Sequence, residues 1–162
     1  MKQSNKFARV ELYAGVNLNK PDFGEPLAVL CSSEKKIASI LEKAADFNGG
    51  GFVLLLKRDE KLLKRLIPAY INAKIRNADN EMRAKTLPME MLLFVSGTMR
   101  TDKAIKENGA SDNKMFIAFT DNRKRFGNFA LQNNIKIIKE YVLDFSKDIA
   151  EDVTSLGFLE AY

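Results

Sequence analysis

Phe52-Val53-Leu54-Leu55-Leu56, five apolar residues in succession, stands between Asn48-Gly49-Gly50-Gly51 and Lys57-Arg58-Asp59 in a chain of 162 residues. The run has strand length, and its unbroken apolar character predicts burial on both faces, as at the centre of a sheet. The glycines before it read as a helix C-cap and turn. A phosphate-binding loop would place its glycines after a strand, opening a helix, with a Gly-Lys-Ser/Thr ending that is missing here. Downstream, Asp59 is placed to cap a helix. Leu62, Leu63, Leu66, Ala69, Tyr70 and Ala73 line one side of it, and Lys61, Lys64, Arg65, Lys74 and Arg76 fall largely elsewhere. Pro68 inside this stretch predicts a kink or a division.

Working outward, Phe7 to Gly15 alternates Phe7, Val10, Leu12 and Ala14 against Arg9, Glu11 and Tyr13, an early strand followed by turn residues. Leu27 to Leu30 reads as a second strand. Ser33 is a candidate N-cap for a helix carrying Ile37, Ile40, Leu41, Ala44 and Ala45 at helical spacing. Beyond the central helix, Pro88 to Ser96 is apolar nearly all round. It reads as a buried helix stopped by Gly97, with a strand as the rival over so short a run. Thr101 or Asp102 opens a short helix with Ala104 and Ile105 inward, closed by Asn108-Gly109, and Met115 to Phe119 is another strand. Asp121 to Phe126 can open a helix, Asn133-Asn134 marks a turn, and Ile135 to Leu143 fits a strand or a short helix equally. Residues 146–162 predict a helix with Ile149, Val153, Leu156 and Leu159 on one face. These elements give an α/β (α+β) class: a single compact domain over residues 1–162, with a small mixed β-sheet flanked by helices.

Composition narrows the chemistry. The chain has 26 Lys plus Arg against 21 Asp plus Glu, a formal charge of +5, and no His. Without His there is no Ser-His-Asp or Cys-His relay, no imidazole base and no His-containing zinc site. Cys31 is the one cysteine, so neither an internal disulfide nor a Cys cluster can form, which suggests a reducing compartment. The N-terminus lacks a signal-peptide pattern, and the longest apolar runs cannot span a bilayer, so the expectation is a cytoplasmic protein with no membrane partner.

The charge is not evenly spread. Lys57, Arg58, Lys61, Lys64, Arg65, Lys74, Arg76, Arg83 and Lys85 face four acids between positions 57 and 85, and the rest of the chain balances to zero. From Glu140 to Tyr162 six acids face the single base Lys147. A basic segment and an acidic tail suit a phosphate-binding face and a separate protein-docking face, while two solvated helix faces explain the same pattern. Arg123-Lys124-Arg125 adds a second small basic cluster. Tyr70 and Phe126 lie among these charges and could stack bases, but their apolar neighbours favour core positions.

Catalytic constellations are scarce. Ser96-Gly97 lacks the second glycine of a nucleophile elbow and a His partner, so Ser96 reads as a helix C-terminal residue. Glu90 is either a buried acid on an apolar helix or a first-turn carboxylate that favours the helix dipole. Asp121 with Asp102 or Asp112 has no recognised metal spacing. The expectation is no catalytic residue, no metal, no cofactor and no small-molecule substrate.

Leu87-Pro88-Met89-Glu90-Met91-Leu92-Leu93-Phe94-Val95-Ser96-Gly97, followed by Ala104-Ile105 and Gly109, resembles the signature of the kinase-binding (TPRKB-like) accessory subunits of the KEOPS (EKC) complex. Members share a Glu followed by aliphatics, a Ser/Ala-Gly, a short helix with Ala-Ile/Leu, a Gly and then a strand comparable to Met115 to Phe119. Glu90, Ser96, Gly97, Ala104, Ile105 and Gly109 carry that structural pattern here. A strand like Phe52 to Leu56 and a helix like Asp59 to Ala73 stand upstream in family order, so the likeness covers roughly the last two thirds of the chain. The family's usual Gln-Ile after Ser-Gly is replaced by Thr98-Met99-Arg100-Thr101.

The resemblance implies a non-catalytic subunit of the machinery that installs N6-threonylcarbamoyladenosine at position 37 of tRNA. In that family the subunit docks on the complex's atypical protein kinase and stimulates the assembly, and archaeal forms hold the 3′ CCA end of tRNA. On this reading the nine basic residues from Lys57 to Lys85 face RNA, and Val153, Leu156, Phe158 and Leu159 of the tail face the kinase. Two alternatives stand beside it: a stand-alone basic RNA-binding protein, and a small-molecule enzyme using Glu90, Asp121 or a lysine.

Overall fold

The computed structural model describes residues 23–47 and 51–143. Its elements follow in the order β1 (Leu27–Ser33), α1 (Ile37–Ala45), β2 (Val53–Lys57), a 3-10 turn (Glu60–Leu62), α2 (Leu63–Ala78), α3 (Leu87–Ser96), α4 (Thr101–Asn108), β3 (Phe116–Thr120), α5 (Arg123–Gln132) and β4 (Ile135–Tyr141). The four strands form one sheet in the order β2-β3-β1-β4, with every described pairing antiparallel. The result is a compact mixed α/β fold, but the sheet itself is antiparallel where the sequence suggested a mixed one. Strands that are neighbours in space are separated by helices in sequence, so their direction was not readable from local pattern.

Side chains alternate across the sheet. Ala28, Leu30, Leu54, Leu56, Ile117 and Phe119 face one side and pack with α2 and α3. Leu27, Val29, Cys31, Val53, Leu55, Phe116 and Ala118 face the other, where Ile40 of α1 and Phe126, Phe129 and Ala130 of α5 cover them. Helices on both faces explain why the strands read as continuous apolar runs although the sheet is antiparallel. Each fully buried Leu, Ile or Phe contributes about 1.5–3 kcal/mol relative to exposure.

The run around Phe52 to Leu56 is buried on both faces as expected, yet among the described residues β2 occupies an edge of the sheet rather than its centre. Pro68 does not divide the central helix, which continues from Leu63 to Ala78. The stretch Pro88 to Ser96 is helix, not strand. Thr86 caps it by accepting from the Met89 N–H at 3.4 Å, Pro88 occupies its first turn, and Gly97 closes it at φ 68. Ser33 is not a helix cap: it ends β1, accepting from the Lys35 N–H and donating to the Asn133 carbonyl, while α1 starts after Lys36 without a side-chain cap. Asn122 caps α5 through the Arg125 N–H, and the segment after Asn133-Asn134 resolves as strand β4. Among the described residues no helix is long and apolar enough to cross a membrane. The expected strand at Phe7 to Gly15 and the expected helix over residues 146–162 lie outside the described residues.

Candidate nucleic-acid interface

The helix α3 is held at both ends by arginines of α2. Arg65 and Arg76 are eleven residues apart, about three turns, and therefore share one stripe of α2. Arg65 donates from Nη1 to the Val95 carbonyl at 3.0 Å, supplying a cation to the C-terminal end of α3, where it satisfies an orphan carbonyl and favours the dipole. Arg76 approaches Glu90 in the first turn of α3, with Nε and Oε2 3.8 Å apart, and its guanidinium lies 5.3 Å from the centre of the Phe94 ring. α2 and α3 thus run antiparallel, clamped at each end.

Glu90 is fully buried, and its Oε1 accepts from the N–H groups of Arg83 and Ala84, each at 2.8 Å. One carboxylate therefore anchors the segment that enters α3 and pairs with α2. The motif residues are equally tied together at the other end. Ser96, the last residue of α3, accepts from Asn108 Nδ2 at 2.8 Å, and Ala104 is buried on the inner side of α4. Ile105, expected to point inward, is instead 51% exposed, and Asn108 takes the buried position one turn on.

A cleft of about 620 Å³ opens beside this junction, lined by Lys57 at the end of β2, Lys61 in the 3-10 turn, Lys64 and Arg65 in the first turn of α2, and Ser96 and Asn108 at the ends of α3 and α4. Asp59 and Glu107 also line it. The Asp59 carboxylate is committed in part to capping the turn through the Lys61 N–H at 3.0 Å. Lys61 and Lys64 are exposed and Lys57 and Arg65 half-buried, so the cleft presents four cations from three elements.

The nine basic residues read from sequence do not form one surface. Arg58, Arg83 and Lys85 are exposed but do not line the cleft. Lys74 lies on another side of α2, its Nζ 5.9 Å from the Tyr70 ring centre. Arg76 is only 9% exposed and belongs to the core, so its assignment to an RNA face is corrected. The missed signal was that Glu90, alone on an apolar helix, needs a buried cation. Tyr70 and Phe126 are buried core aromatics, unable to stack on bases. Asp121 serves the fold: its Oδ1 accepts from the Phe52 N–H at 3.0 Å. The tail residues Val153, Leu156, Phe158 and Leu159 lie outside the described residues.

No protein-family model and no curated protein matches the chain.

Proposed function

We propose that this chain is a non-catalytic accessory subunit of the KEOPS/EKC assembly. It binds and stimulates the complex's atypical kinase and helps hold tRNA, including its 3′ CCA end, for the threonylcarbamoyl modification at position 37. The observation that carries the RNA part is the convergence of Lys57, Lys61, Lys64 and Arg65 in one cleft against the end of the motif helix. The four cations outnumber the two carboxylates that share the cleft, Asp59 and Glu107, and a concave surface with a net positive lining favours entry of a phosphate backbone. Affinity there is electrostatic, and the apposed Ser96 and Asn108 add polar groups to the wall. Kinase docking is assigned to the apolar positions of the tail, Val153, Leu156, Phe158 and Leu159.

The test measures tRNA affinity against salt for the wild type and for Lys57→Glu/Lys61→Glu/Lys64→Glu. Removing one lysine–phosphate interaction should reduce the log–log salt slope by about 0.7–0.9. Unchanged affinity overturns the interface. Capture of the atypical kinase by the wild type, abolished in Leu156→Arg with the fold retained, supports the adaptor role. RNA binding that ignores the CCA end, with no kinase captured, favours a stand-alone RNA-binding protein instead.

A further inference from the structure

Among the described residues, the outer edge of β2 carries main-chain groups without a partner. In an antiparallel ladder alternate residues point their N–H and C=O to opposite sides. The main-chain groups of Phe52 are taken from the β3 end, by Asp121 Oδ1 and Thr120 Oγ1, and the Leu55 carbonyl accepts on the opposite side from the Ala110 N–H at 3.2 Å. Val53 and Leu55 therefore point away from β3. Leu56 and Gly109 form an isolated bridge at the far end of this edge. The Val53 N–H and C=O and the Leu55 N–H have no partner among the described residues. Buried main-chain groups are almost always paired, so three in succession ask for a strand.

This edge opens into a second hollow, of about 810 Å³, walled by Leu41 and Ala44 of α1 on one side and Leu87, Met89 and Leu92 of α3 on the other. It is an apolar trough with backbone donors and an acceptor along its floor. We propose that it is a strand-docking site whose occupant is residues 7–15 of this same chain, added as a fifth strand antiparallel to β2.

Three observations select that occupant. Phe7 to Gly15 has the alternation of a strand with one apolar side, Val10, Leu12 and Ala14. The described chain begins at the correct end of the trough: Phe23 packs edge-on against Tyr70 with ring centres 5.7 Å apart, and Gly24 lines the trough together with Val53. Residues 16–22, seven in number, then connect Gly15 to that end, a reach of up to about 25 Å when extended. A strand that finishes near Val53 runs opposite to β2, which sets the direction.

The experiment is residue-resolved amide exchange by NMR on the full chain and on Glu11→Pro and Leu12→Pro. Among the described residues the edge leaves one free acceptor, the Val53 carbonyl, so the prolines act mainly by setting a ring against β2: adjacent positions have opposite parity, and one of the two faces β2 and disrupts the extended pairing there. The wild type should protect the Val53 and Leu55 amides, show cross-strand NOEs from β2 to residues 7–15, and lose about tenfold or more of the protection in one variant while Leu54 and Leu56 stay protected. Val53 and Leu55 amides that exchange freely in the wild type overturn the proposal. So does protection equal in all three proteins, an absence of NOEs from β2 to residues 7–15, or protection that falls on dilution, which would make a second copy the occupant.

Discussion

Arg76 and Glu90 form an ion pair inside the protein, 3.8 Å apart, with the carboxylate fully buried and the guanidinium side chain 10% exposed. The pair joins the end of α2 to the start of α3. Glu90 spends its other oxygen on two main-chain N–H groups of the segment between those helices. Desolvating two charges is costly, and the hydrogen bonds to one of them and the Phe94 ring beneath the other offset part of that cost.

Removing one partner should therefore expose the cost of the other. Arg76→Met is expected to lower unfolding stability by about 3–5 kcal/mol in urea titration, because the Glu90 charge is left buried without its cation. Glu90→Gln should cost less, since an amide oxygen still accepts from Arg83 and Ala84. A functional RNA contact at Arg76 would instead show as weakened tRNA affinity with stability held.

The two basic positions in the first turn of α2 should separate in the same way. Lys64 is exposed, so Lys64→Ala is expected to leave stability within about 0.5 kcal/mol. Arg65→Ala removes the donor to the Val95 carbonyl and should cost about 1 kcal/mol. Paired urea titrations read the difference.

Gly97 and Gly109 flank α4 for different reasons. Gly97 has φ 68 with open space where a side chain would stand, so Gly97→Ala should cost about 1–2 kcal/mol from backbone conformation alone. Gly97→Asn should recover part of that, because Asn tolerates the left-handed region. At Gly109 a Cβ would lie 2.7 Å from the Ile105 carbonyl oxygen, so Ala and Asn should both destabilise, by about 1–3 kcal/mol. Melting temperatures of the four variants test the contrast.

Cys31 is fully buried in β1, and burial pushes its thiol up to about 12 from an ordinary value near 9.0. The unfolded chain thus loses this proton at lower pH than the folded one, so the thiol's contribution to stability falls as pH rises from 9 towards 12. Cys31→Ala should show a shallower alkaline decline than the wild type, whatever it loses in packing. A thiol reagent at neutral pH should leave the native protein unmodified and react once it is unfolded.

Local chemistry in the sequence was enough for the elements that carry their own start and stop signals. Pro88 and Gly97 bound α3 and Asn133-Asn134 makes a turn, because caps and turns act over three or four residues, whereas the caps Thr86 and Asn122 and the strand state of β4 came from the structure. The apolar runs at Val53 and Phe116 were likewise strands on composition alone. What each element faces was decided only in three dimensions. Arg76 is a core residue because α3 lies across its stripe of α2, Ile105 is half exposed while Asn108 turns in to reach Ser96, and among the described residues β2 is an edge because β3 alone pairs with it. Periodicity reports that a face is apolar or charged. Which partner meets that face depends on contacts between residues distant in sequence, and those gathered four of the nine cations into one cleft and sent a fifth into the core.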